Sequence, residues 1–203
     1  MRSRESVWKI HQWVAGLRAE LPLDLVIDNV SARLDEVDGD DRYDLAMHLE
    51  GLLVQARRGR EALLILDEMI EEYPDDVRFS INKALLHLYH FDDPEEALRC
   101  IDFALERAYR TGYFRREALG DKARMLLQLG RGEALSQVLE EIMSLKMIKG
   151  IPDIGRERDF VDRAPPELIP EDVVARYNEF RPKRAGDSSA DEPPEFEPPD
   201  DYE

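Results

Sequence analysis

Apolar residues recur along this chain at three- and four-residue spacings, with polar residues filling the intervals. Within 23–37, Ile27, Val30, Leu34 and Val37 follow i, i+3, i+7 and i+10, a single apolar stripe on a helix. The same period marks helices at about 4–20, 23–37, 41–57, 59–72, 76–91, 94–109, 113–129 and 131–147. Pro22, Pro74 and Pro94 fall where these runs begin or end and never interrupt one, where proline would remove a hydrogen bond and clash with the preceding turn. The connections are short, as antiparallel neighbours require. At the sixth helix, Asp92 or Asp93 can cap, Pro94 takes the first helical position, and Glu95 and Glu96 favour the N-terminal dipole. Its Ala97, Ile101, Ala104 and Ala108 make a narrow face that lets another helix approach closely. Gly130 and Gly150 punctuate helix ends.

A longer repeat lies over this period. In the segments GREALLILDEMIEEYP (59–74), DPEEALRCIDFALERAY (93–109) and GRGEALSQVLEEIMSL (130–145), a Gly or Pro near the start is followed shortly by Glu-Ala-Leu. Ala62, Ala97 and Ala134 head them, at spacings of 35 and 37 residues, a period that points to stacked helix pairs. Gly51, Ala84 and Ala123 supply a small residue in each preceding helix, and Met69, Ala104 and Glu141 stand seven positions beyond the alanines. On these residues, 43–146 resembles tetratricopeptide repeats. The resemblance implies an all-α fold, a right-handed α-solenoid of antiparallel helix pairs whose small residues sit where helices cross. It also implies a concave groove lined by the first helix of each pair. Asp44, Met47, Val54, Arg78, Ile81, Asn82, Leu85, Leu88 and Tyr89 would line that groove. Family members that clamp a C-terminal carboxylate use Lys, Asn and Arg there. Asn82 occupies one such place, but Met47 and Gly51 replace two others, so that clamp is not carried over. A groove this apolar suits an amphipathic helix or an extended apolar peptide.

The two ends differ from the middle. The pair in 1–40 lacks the motif and carries Trp8, Ile10, Trp13, Val14 and Leu17, so it reads as a cap or diverged repeat ahead of repeats over 41–150. Residues 151–184 lose the regular period until 170–181, where Val173, Val174, Tyr177 and Phe180 line one side of a short helix. Such a helix is too short to persist alone and must dock. Ile151, Ile154, Phe160, Val161, Leu168 and Ile169 give this segment enough apolar surface to fold back over the groove and mask it. Residues 185–203 are acidic and proline-rich, the composition of a disordered tail.

Charge and candidate chemistry narrow the function. The net charge is −17, of which −8 lies in 185–203 and −9 in the rest, so both parts repel a phosphate backbone and no nucleic-acid partner is expected. No apolar run is long enough to span a membrane, and the start is too polar for a secretory signal, which favours a cytoplasmic chain. The single cysteine, Cys100, lies among Leu98, Ile101 and Phe103 and reads as a small core residue. His87 and His90 stand three apart with Asp92 and Asp93 following, yet no third ligand has diagnostic spacing, so neither metal nor cofactor is expected. The acidic run 35–41 lacks the glutamate that closes a calcium loop. No nucleophile elbow, P-loop or dinucleotide fingerprint occurs, and the chain is read as a non-enzyme.

A basic stretch stands out: Arg107, Arg110, Arg115, Arg116, Lys122 and Arg124, interleaved with Tyr109, Tyr113 and Phe114. Arginines with aromatics suit an acidic or carboxylate-bearing peptide. A solvated turn whose arginines offset helix dipoles is the plainer reading. The expected function is a scaffold or adaptor that binds a peptide or helix of another protein. Met47, Val54, Arg78, Ile81, Asn82, Leu85, Tyr89, Arg110, Arg115 and Arg116 are the candidate contacts. The alternative is an acidic inhibitor or immunity-type protein that blocks a basic active site or nucleic-acid groove.

Overall fold

The computed structural model describes residues 4–111, 114–145, 161 and 164–180, with the backbone alone for 4–6 and 109–111. The regular structure among these residues is entirely α-helical. The helices are α1 (Arg4–Glu20), α2 (Leu23–Leu34), α3 (Gly39–Gln55), α4 (Gly59–Glu72), α5 (Val77–Tyr89), α6 (Pro94–Thr111), α7 (Arg115–Gln128), α8 (Gly132–Ser144) and α9 (Glu171–Phe180). Each lies where the periodicity put it, with ends shifted by three residues or fewer. The 185–203 tail and the extended stretch 151–160 lie outside the described residues.

Local chemistry accounts for these elements. In α2 the apolar stripe Val26, Ile27, Val30 and Leu34 is buried. Asp76 caps α5 by accepting from the Arg78 N–H. Asp93 caps α6, its Oδ1 accepting from the Glu96 N–H at 3.0 Å, while Asp92 turns the chain with a φ of 53°. Asp93 is thus the cap of the two candidates.

The chain forms two compact units, Met1–Ala118 and Leu119–Glu203, divided within α7. In the first, α1 to α6 pack on one another in chain order, and α1 also packs on α3. The core runs from Val14 through Ile27, Leu45, Leu49, Leu66 and Met69 to Phe79. α5 and α6 form the most extensive pairing, because Ala97, Ile101, Ala104 and Ala108 present no exposed surface and allow close approach. In the second unit α9 packs on α8, burying Val173 and Tyr177 alongside Leu135, Leu139 and Ile142. The short helix at 170–181 therefore does dock.

The repeat has its physical counterpart in the corners. Arg57, Asp92 and Gly130 adopt positive φ (59°, 53° and 66°), each two residues before the next helix. At the first corner the Arg58 N–H donates to the Leu53 carbonyl at 2.8 Å and the Arg57 N–H to Val54 at 3.0 Å. At the third, Arg131 donates to Leu126 at 2.9 Å and Gly130 to Leu127 at 3.1 Å. Both are Schellman caps, which satisfy orphan carbonyls and reverse the chain at once. The Asp92 corner is one residue wider, with the Asp93 N–H donating to His87 at 2.9 Å.

Some expected crossing residues behave otherwise. Ala62, Ala84, Ala97, Ala123, Met69 and Ala104 are fully buried. Gly51 is exposed, with open space where a Cβ would stand, so no helix crosses over it. Ala134 and Glu141 are only half-buried. The glycines that do mark close approach are Gly59 and Gly132, at the starts of α4 and α8. A Cβ on Gly59 would lie 2.3 Å from the His90 ring, and one on Gly132 would lie 2.5 Å from the Leu168 carbonyl oxygen.

Arg57→Gly relieves a left-handed strain of about 1–2 kcal/mol at an entropic cost of about 0.5–1 kcal/mol. Urea denaturation is expected to show a gain of about 0.5–1 kcal/mol; a loss would mean the Arg57 side chain matters to the corner. Gly132→Ala drives a methyl into backbone and is expected to destabilise by about 1–3 kcal/mol. Gly59→Ala is expected to lose less, because the His90 ring can rotate away.

Candidate functional site

The face expected to receive a partner runs along α3 and α5. On α3, Leu45, Leu49, Leu52 and Leu53 turn into the core and half-buried Met47 packs against it, while Gly51 and Val54 are exposed. On α5 two stripes separate. Val77, Ile81, Ala84 and Leu88 are buried, so Ile81 and Leu88 belong to the packing and not to an open face. Arg78, Asn82, Leu85 and Tyr89 form the second stripe and retain exposure. Tyr89 is 57% exposed and Val54 36%, while Met47 and Leu85 are half-buried.

Two polar links join α3 to α5. Asn82 Nδ2 donates to Glu50 Oε2 at 3.4 Å, a long bond. Burial pushes the Glu50 carboxyl above its ordinary pKa, and the Asn82 bond only partly opposes this. The second link is stronger. Tyr43 Oη donates to Asp76 Oδ2 at 2.9 Å, and Arg78 grips the same carboxylate with Nε at 3.0 Å and Nη2 at 2.5 Å. Burial raises the Asp76 pKa, but the bonds from Arg78, its backbone N–H and Tyr43 outweigh it and hold the carboxyl below the usual range. The Arg78 guanidinium also lies over Tyr43 at 4.9 Å and over Phe114 at 5.2 Å from the ring centroids. Its charge is therefore committed inside the fold and not held ready for a ligand carboxylate.

Between α1 and α3, His11 and His48 lie with ring centroids 5.4 Å apart. Burial and the neighbouring His11 lower the His48 pKa against the pull of Asp44. At the far end of α1, Trp8 is 62% exposed.

The arginine stretch is less open than its composition suggests. Arg107 donates to the Pro74 carbonyl at 2.8 Å and stacks 3.5 Å above the Phe103 ring, which is itself exposed and not part of the core. Arg115, Arg116, Lys122 and Arg124 are half-buried, and none is without a partner. The side chain of Arg110 lies outside the described residues.

His87 and His90, paired by spacing, part company in the fold. His90 terminates α5 and packs on Gly59. His87 instead meets Glu96 and Cys100 from the start of α6, with one ligand-type atom from each within 4.8 Å of the others. The Cys100 Sγ–H donates to Glu96 Oε1 at 3.9 Å, and burial pushes the thiol up to about 11. The sequence carried one signal for this cluster, the i, i+4 placement of Glu96 and Cys100 on one helix face. No family model, curated protein or solved structure matches the chain.

Glu50 gives a pH-dependent test. Its raised folded pKa means the stability associated with the protonated carboxyl is complete below the ordinary carboxylate pKa and is lost as pH rises through the folded value. Glu50→Gln is therefore expected to melt above the parent protein at neutral pH, with the gap closing in acid. A constant gap across that range would show that burial of the charge is not its cause.

Proposed function

We propose that this chain is a non-enzymatic interaction module that binds an apolar segment of another protein along α3 and α5. The observation that carries the reading is the pair of exposed apolar side chains Val54 on α3 and Tyr89 on α5, two helices that the Asn82–Glu50 and Tyr43–Asp76 bonds join. An exposed tyrosine is a frequent binding hot spot, since it buries a large ring at small entropic cost. The polar groups beside it are already satisfied, Arg78 by Asp76 and Asn82 by Glu50. A highly charged tail would gain little there. An amphipathic helix laying its apolar face against these two side chains, or an extended apolar peptide, would gain the most.

This reading predicts a selective loss. Tyr89→Asp and Val54→Asp are each expected to weaken partner capture by at least about tenfold, as truncation of a hot spot does. Leu64→Asp, at a 68% exposed apolar residue on α4, serves as the control and is expected to leave capture unchanged. Quantitative affinity capture with the full-length chain and matched variants measures this. Equal capture by all variants, or equal loss in the Leu64 control, would overturn the assignment of the face.

A further inference from the structure

The corner joining α5 to α6 gathers three side chains whose chemistry differs from the rest of the surface. His87 comes from the last turn of α5, Glu96 from the first turn of α6, and Cys100 from the next turn on the same face. The backbone fixes them independently of any ligand. The His87 carbonyl accepts the Asp93 N–H at 2.9 Å, and the Asp93 carboxylate accepts the Glu96 N–H at 3.0 Å. Glu96 is further oriented by Arg99, whose Nε donates to Oε2 at 2.7 Å, leaving Oε1 turned toward the Cys100 sulfur at 3.9 Å.

A second, separate observation points to a missing partner. The Nδ1 atom of His87 is buried and has no hydrogen-bond partner among the described residues. A buried imidazole nitrogen left unsatisfied carries a desolvation cost that a donor or a metal would remove. The ring instead packs against Phe91, at 5.6 Å between centroids, which excludes water from one side.

The geometry points to a transition-metal site formed by His87, Glu96 and Cys100, taking one Zn²⁺ ion with a fourth position open. One nitrogen, one carboxylate oxygen and one sulfur suit a borderline-soft divalent ion and not calcium or magnesium, which demand oxygen shells. Zinc ligands lie about 2.0–2.3 Å from the metal, so ligand atoms in a tetrahedron stand about 3.5 Å apart. Closing a 4.8 Å cluster to that spacing needs shifts of about 1 Å, within reach of side-chain rotation with both helices fixed. Charge also balances. The Cys100 proton leaves to solvent as the sulfur binds, and thiolate plus carboxylate neutralise the dication. Of the nearby cations, Lys83 is paired with Asp67 at 2.6 Å and Arg99 holds the other carboxylate oxygen of Glu96. Binding would clip the end of one helix to the start of the next, with the fourth ligand a water or a partner's side chain.

The test uses the full-length, reduced protein titrated with Zn²⁺ by calorimetry and with Co²⁺ by absorbance. One ion per chain is expected, with a cobalt–thiolate charge-transfer band that Zn²⁺ displaces and a melting temperature that rises with metal. Cys100→Ser is expected to abolish the band. His87→Ala is expected to weaken Zn²⁺ binding by at least about 100-fold, the upper end of what losing even a supporting group costs a metal site. His90→Ala and His11→Ala, off the cluster, are expected to bind as the parent does. Circular dichroism of each metal-free variant separates ligand loss from unfolding. No Zn²⁺ binding by the parent protein, or binding unaffected by Cys100→Ser and His87→Ala in variants of unchanged helicity, would overturn the site. A loss in His90→Ala equal to that in His87→Ala would overturn the ligand set.

Discussion

Both units depend on reversing the chain in two to four residues without leaving helix-end carbonyls unpaired. A helix that stops inside a protein strands its last carbonyls, and a single residue in the left-handed region lets the following N–H groups reach back to them. Arg57 and Gly130 do this with the same pair of hydrogen bonds, and Asp92 with a slightly wider version. Because the reversal is short, consecutive helices are forced to be antiparallel neighbours. Close packing of α5 on α6 then follows from the alanines opposite.

Most of the fold was legible in the sequence for this reason. Breakers and capping residues cluster at the corners, while apolar stripes run unbroken between them, so local signals and global packing agree. Asp76, Asp93, Pro94 and Gly130 act where their side-chain chemistry suggests. The face of α6 was legible too, since a row of alanines at helical spacing has no other economical use.

The site was legible only in part, and the misses have a common cause. Spacing assigns residues to a helix face but does not say what that face meets. Gly51 is small, as a crossing residue should be, yet its side of α3 meets open space. Ile81 and Leu88 lie close enough in angle to Leu85 and Tyr89 that only the packing separates the stripes. His87 and His90 would share a face in an unbroken helix, but His90 stands at the C-cap, with a φ of −103°. That departure swings it toward Gly59 and leaves His87 to neighbours across the corner. Arg78 looked like a groove cation, and a two-residue reach back to Asp76 committed it elsewhere.

Gly59 under the His90 ring has a further consequence. It places the opening of α4 against the closing of α5, so two corners that are separate in sequence are adjacent in space. Surface connections ordinarily absorb insertions and deletions freely. Here an added residue at 56–58 would lift the glycine away from the ring, and one at 90–93 would lift the ring away from the glycine. Length change at either corner is thus tied to compensation at the other, and the chain length between Gly59 and His90 becomes a property that the two corners hold jointly.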